Sequence, residues 1–290
     1  MSRIVYVNGA YVPEEDAKVS VFDRAFLFGD AIYEVTAVLG GRLVDFEPHL
    51  ARLDRSLGEI SLDPPVSHAE LLAMHLELVR RNGIDEGIVY LEITRGSAER
   101  DFAYPERPSP NVVAFTQSRP LIVSPYAETG VKVVTIPDLR WKRRDIKSTS
   151  MLAQAMGKQE AKLRGAYEGW MVEDGVVTEG TSSSAFILDA KGVIRTQPLG
   201  RHILPGVTRR SILRLAALEG IALEERPFSV AEALDAREAF MTAASAFVLP
   251  IVAIDGVPIG DGRPGRVANR FRALYIEEAR NTSIGASAEA

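Results

Sequence analysis

Lys147 stands in the stretch RRDIKSTSML, residues 143–152, three positions after the last of the cations Lys142, Arg143 and Arg144. The apolar spacing from Met151 predicts a helix running to about Ala166, which places Lys147 near a helix start, where first-turn amides carry partial positive charge. An ammonium in such surroundings loses its proton more readily, and the neutral amine attacks a carbonyl to form a Schiff base. A solvated lysine at a loop tip fits the same residues. A second candidate is VVTEGTSSSAF, 176–186, where four hydroxyl residues follow a glycine beyond a predicted strand. Such a loop either cradles a phosphate with hydroxyls and exposed amides or is simply a polar surface turn. Glu179 beside it would repel a phosphate unless it serves another group, such as a protonated ring nitrogen. In ILPGVTRRS, 203–211, the run Gly206-Val207-Thr208 opens a helix, either as an anion site or as an ordinary helix capped by Thr208. MTAASAF, 241–247, has small residues that allow close backbone approach or plain core packing. Arg52, on a predicted helix, either grips a phosphate with its fork or pairs with Asp45 or Asp54.

The rest of the composition narrows the field. The 290 residues are 46% hydrophobic and 25% charged, enough for one large or two modest soluble domains. A net charge of −5 argues against nucleic acid or an anionic membrane as the main partner. No apolar run reaches membrane-spanning length and the N-terminus lacks a signal-peptide core, so a cytoplasmic protein is expected. The absence of cysteine rules out disulfides, thiolate zinc sites and a cysteine nucleophile. The four histidines show no metal-ligand spacing, and no metal is expected. Only seven of the 34 basic residues are lysines, a weak pointer toward each one.

The elements that must position these side chains form two halves. Asn8-Gly9 and Gly40-Gly41 signal hairpins, helices are predicted over 48–58 and 67–81, and strands over GIVYLEITRG and NVVAFTQ. That gives an N-terminal α+β domain over 1–120. A proline-bearing linker is placed at 121–130. The larger C-terminal domain, 131–280, holds the strand VKVVTIP, hairpins turning at Asp174-Gly175 and within AFILDAKGVIRT, a Thr208-capped helix closed by Gly220, and a Ser229/Glu232 capping box. Two further strands and a last helix complete it. Residues 281–290 read as a frayed tail.

Taken in order, FLFGDAIYEV, HLARL, TRGSAERDF, DIKSTSMLAQAMGKQEA, VTEGTSSSAF and LPGVTRRSI resemble the fold-type IV aminotransferases dependent on pyridoxal 5'-phosphate (PLP), and among these most the D-amino-acid aminotransferases. The resemblance spans about residues 3 to 280. It implies an α+β fold with two α/β domains and PLP at their interface, and a homodimer with active sites near the subunit interface. It also implies ping-pong transfer of an amino group from a D-amino acid to a 2-oxo acid. Lys147 is then the residue that carries PLP and afterwards moves the proton, and Glu179 the carboxylate on the ring nitrogen. Arg52, Val207, Thr208 and Ala244 would hold the phosphate, Leu204 would pack on the ring and Ser182 would lie near the cofactor. Tyr33, otherwise a half-buried strand residue, would sit near the substrate, and Arg100 would bind its carboxylate. The pattern usually has a histidine where this chain has Phe102, which cannot hydrogen-bond a carboxylate. The same fold also hosts (R)-selective amine transaminases, branched-chain L-amino-acid aminotransferases and aminodeoxychorismate lyases. A non-catalytic protein using the WKRRD patch on an acidic partner is the alternative from another class.

Overall fold

A computed structural model describes residues 2–285. The chain forms two compact units, one of residues 2–120, 146–150 and the described residues from Ala279 on, the other of 121–145 and 151–278.

In the first unit, β1 (Ile4–Val7), β2 (Ala10–Pro13), α1 (Arg24–Phe28), β3 (Ala31–Leu39), β4 (Arg42–Leu43), α2 (Phe46–Glu59), α3 (His68–Asn82), β5 (Glu86–Thr94) and β6 (Val112–Ser118) follow in order. The strands make one antiparallel sheet, β2-β1-β6-β5-β3-β4. Period-two alternation sends Ile32, Val38, Val89, Leu91 and Ile93 into a core with Leu50, Leu53, Leu57, Leu71 and Leu78 of α2 and α3. Each such side chain contributes roughly 1.5–3 kcal/mol by leaving water. The opposite face carries Tyr33, Tyr90 and Phe115, stacked in sequence with centroids 5.5 and 4.8 Å apart. The capping box of Ser67 and Glu70 opens α3, and Gly83 closes it at φ 60°.

The second unit contains α4 (Pro125–Thr129), β7 (Val131–Pro137), α5 (Leu152–Leu163), β8 (Glu168–Glu173), β9 (Val176–Gly180), β10 (Ser184–Leu188), β11 (Ile194–Thr196), α6 (Val207–Leu218), β12 (Leu223–Glu225), α7 (Val230–Leu234), β13 (Glu238–Ala243), β14 (Phe247–Ile254), β15 (Val257–Pro258) and most of α8 (Arg266–Thr282). Its mixed sheet runs β12-β11-β10-β13-β14-β7-β8-β9, with β15 on β14. Trp170, Ile187, Met241, Leu249 and Ile251 pack with Phe228 on one side. On another, α5 lies so close that a Cβ on Gly157 would stand 2.5 Å from the Ile136 side chain.

Several local expectations change. The helix after Lys147 runs from Leu152 to Leu163, short of Ala166, and Lys147 precedes it in a segment that bridges to β3 through Ser148 and Ile32. Thr208 is not a cap: Gly206 holds that place and Thr208 lies in the first turn of α6. The segment read as linker contains α4, and Leu121 is buried. Of the expected tail, Asn281 and Thr282 finish α8 and Ile284 pairs with Leu43, whereas 286–290 lie outside the described residues.

Candidate active site

Within the first unit, Lys147 is fixed by its backbone. Tyr33 N–H donates to its carbonyl at 3.0 Å, Thr149 N–H donates to Ala31 O at 3.0 Å, and Lys147 N–H donates to Ser56 Oγ at 3.4 Å. Only the side chain is left to move, and its Nζ lies 4.0 Å from the Tyr33 ring centroid. The structure thus brings together Lys147 and Tyr33. The neighbouring cations do not act as expected. Lys142 and Arg144 pair with Glu173, Arg144 also with Asp138, and Arg143 with Asp145.

Arg52 gives Nε and Nη2 to the two oxygens of Glu34, a buried carboxylate on β3, at 2.8 and 2.7 Å. His49 Nδ1 donates to the same carboxylate at 2.7 Å. Burial pushes the Glu34 carboxyl up, but the Arg52 charge and hydrogen bonds, with His49, outweigh it and hold the group well below the usual carboxylate range. Sequence reading missed Glu34, although a carboxylate on the inward register of AIYEVTAV needs a partner. Arg100 and Phe102 lie on the loop after β5, both exposed, with the Arg100 guanidinium 5.5 Å from the rings of Phe28 and Phe102.

Within the second unit, Glu179 is buried at the end of β9 and forms an ion pair with Arg140. Both of its oxygens accept the Leu204 N–H at 3.2 Å, which joins two predicted residues directly. Burial pushes the Glu179 carboxyl up, against the pull of Arg140 and the Leu204 amide. Arg140 was not foreseen, since its partner is distant in sequence. The hydroxyl run behaves differently from a free cradle. Thr181, Ser182 and Ser183 turn onto the buried Glu168, Ser182 Oγ at 2.8 Å and Ser183 Oγ at 3.4 Å, with Lys158 Nζ 3.5 Å away. Ala244 opens the tight turn between β13 and β14, where Ala246 N–H donates to Ala243 O.

The start of α6 fits an anion. Val207 and Thr208 form its first turn, Gly206 caps it without a side-chain hydrogen bond, and the Thr208 hydroxyl is buried with no protein partner. A Cβ on Gly206 would stand 2.7 Å from Ser184 Oγ, so the glycine permits this close seat against β10. A buried hydroxyl without a partner beside uncapped amides suits a phosphate. The described residues contain no group of three acidic or histidine side chains able to hold a metal.

The family model "Amino-transferase class IV" matches residues 31–254. D-alanine aminotransferase of Bacillus licheniformis is 40% identical over 263 residues, 90% of this chain and 92% of the relative. That of Staphylococcus aureus strain MSSA476 is 38% identical over 283 residues, 97% of this chain and 99% of the relative. Among solved structures, a T.th. branched-chain amino acid aminotransferase with pyridoxamine 5'-phosphate superposes with a TM-score of 0.88 at 26% identity, covering 97% of this chain and 95% of its own. The chain belongs to the class IV aminotransferases, enzymes that work with pyridoxal 5'-phosphate.

Proposed function

We propose that this chain transfers the amino group of a D-amino acid, D-alanine among them, to a 2-oxo acid in a ping-pong cycle. The observation that carries the choice of substrate is the near-full-length match to D-alanine aminotransferases, at higher identity than the branched-chain enzyme reaches. When bound, PLP supplies a carbonyl for the amino group and a ring that accepts the electron pair released at the α-carbon. The chain's own groups do the rest. Lys147, its backbone tied to β3, carries the cofactor and then moves the proton at the substrate α-carbon. The Tyr33 ring, stacked on Tyr90, keeps the lysine amine on one course. Glu179, kept in place by Arg140 and the Leu204 amide, would serve the ring nitrogen, and Leu204 would pack on the ring. Val207, Thr208 and the Ala244 turn would take the phosphate, and Arg52, its fork oriented by Glu34, would add a positive charge for it. Ser182, bonded to Glu168, would lie near the cofactor. Arg100 binds the substrate carboxylate, and Phe102 makes its surroundings apolar.

The proposal also takes the enzyme to be a cytoplasmic homodimer. Exposed Val19, Val21, Phe22 and Phe26 in the first unit support a partner surface. Among the described residues no helix is long and apolar enough to cross a membrane. Light scattering tests the dimer and cell fractionation the compartment.

The deciding experiment is the visible spectrum of the purified protein mixed with D-alanine, L-leucine or an (R)-aryl amine, without oxo acid. Bleaching of the bound cofactor by D-alanine is expected. Bleaching only by L-leucine or only by the aryl amine would reassign the substrate. Lys147→Ala is expected to lose the lysine-linked absorption and to turn over on the order of 10²- to 10⁴-fold more slowly.

A further inference from the structure

The loop 97–108 carries Arg100 and has no secondary structure beyond a bridge at Ser97, yet one buried side chain fastens it from beneath. Arg24, 3% exposed, donates from Nη1 to the carbonyls of Asp101 at 2.6 Å and Ala103 at 3.2 Å, and from Nη2 to that of Phe102 at 3.3 Å. Its Nε binds Asp30 Oδ2 at 2.8 Å, and the same oxygen accepts Arg95 Nε at 2.8 Å. The Arg24 guanidinium lies 4.7 Å from the centroid of the Phe28 ring, the ring that also receives Arg100 at 5.5 Å. Phe102 packs on Phe28 at 5.4 Å and completes the seat of Arg100.

A planar fork with donors in a fixed pattern can hold three successive carbonyls, whereas an ammonium offers one point charge. Asp30 precedes β3, so the chain segment that leads to Tyr33 also holds the Arg24 fork. We infer that Arg24 is a positioning residue for substrate recognition: it fixes the backbone of 101–103 so that Arg100, set against the Phe28 and Phe102 rings, meets the substrate carboxylate in one orientation. The inference rests on the reading of Arg100 as the carboxylate ligand. It gives Phe102 a task that needs no hydrogen bond, since its ring face steadies the guanidinium instead.

The test compares Arg24→Lys, Phe102→Ala and Arg100→Ala as purified holoenzymes, with D-alanine and pyruvate as carboxylate-bearing substrates and an (R)-aryl amine as the carboxylate-free donor. Arg24→Lys is expected to raise KM for D-alanine and pyruvate about tenfold or more while kcat stays within about twofold and the aryl-amine rate is unchanged. Combined with Arg100→Ala it should add nothing further, because the two act as one unit. Phe102 is 78% exposed, so Phe102→Ala keeps the test available if Arg24→Lys does not fold, and it should shift KM in the same pattern to a smaller extent. A raised KM in Arg100→Ala with unchanged KM in both other variants overturns the positioning role alone. An unchanged KM in Arg100→Ala overturns the carboxylate reading and the inference with it. Equal losses toward the aryl amine would mark Arg24 as merely structural and also overturn it.

Discussion

Glu179 and Glu34 are both buried carboxylates held by an arginine, and their proton affinities move in opposite directions. Glu34 takes a side-on pair of hydrogen bonds from Arg52 and a further one from His49, enough to overcome its burial. Glu179 shares Arg140 with Asp138, whose own charge repels it, and burial prevails. A carboxylate so balanced responds strongly to a cation placed beside it, which is what a protonated ring nitrogen provides. Glu179→Gln keeps an acceptor for the Leu204 amide but cannot ionise. It is expected to lower kcat on the order of 10²-fold, the scale of losing one preorganised electrostatic partner. Steady-state kinetics check this, and an unchanged kcat would remove Glu179 from the reaction.

The helix α3 sets an acid limit on the first unit. His75 is buried, donates Nδ1–H to Leu71 O at 2.7 Å and lies edge-on to Phe46. Burial pulls its pKa down to about 4 from the ordinary 6.5, so between those values the unfolded chain binds a proton that the folded chain refuses. Stability is therefore expected to fall as pH drops from about 6.5 to 4, by roughly 3 kcal/mol in all. Glu34 adds a loss in the same direction only below its ordinary 4.5. Denaturant unfolding across this range tests the sign, and His75→Gln should flatten it. The elements themselves were legible where their cause is local. Asn8 and Asp174 turn at positive φ, and Ser67 with Glu70 and Ser229 with Glu232 cap within one turn. Five-residue α1 and α4 are too short to show a period, and two-residue β4 and β15 exist only because a neighbour pairs with them. The family was legible as an order of motifs, and the candidate site rests on the same motifs. Its supports were not legible: Arg140 on Glu179, Glu168 under three hydroxyls and Arg24 under 101–103 each join residues far apart in the chain.

At the scale of the whole molecule, the first unit gathers three separate stretches of chain, its sheet from the beginning, the Lys147 segment from the middle and Ile284 from near the end. Ile284 and Leu43 exchange N–H to carbonyl bonds at 2.8 and 2.7 Å, and Arg42 reaches the Ser283 carbonyl at 2.5 Å. Ile284→Pro removes one of these donors and is expected to lower the melting temperature by roughly 2–5 °C, measured by calorimetry. Chains commonly acquire structure from the N-terminus while still being synthesised. Here the edge strand β4 waits for Ile284, a partner of Leu43 translated about 240 residues later. During that interval the nascent protein exposes an unpaired strand edge on the ribosome, the period in which a chaperone would have the most to protect.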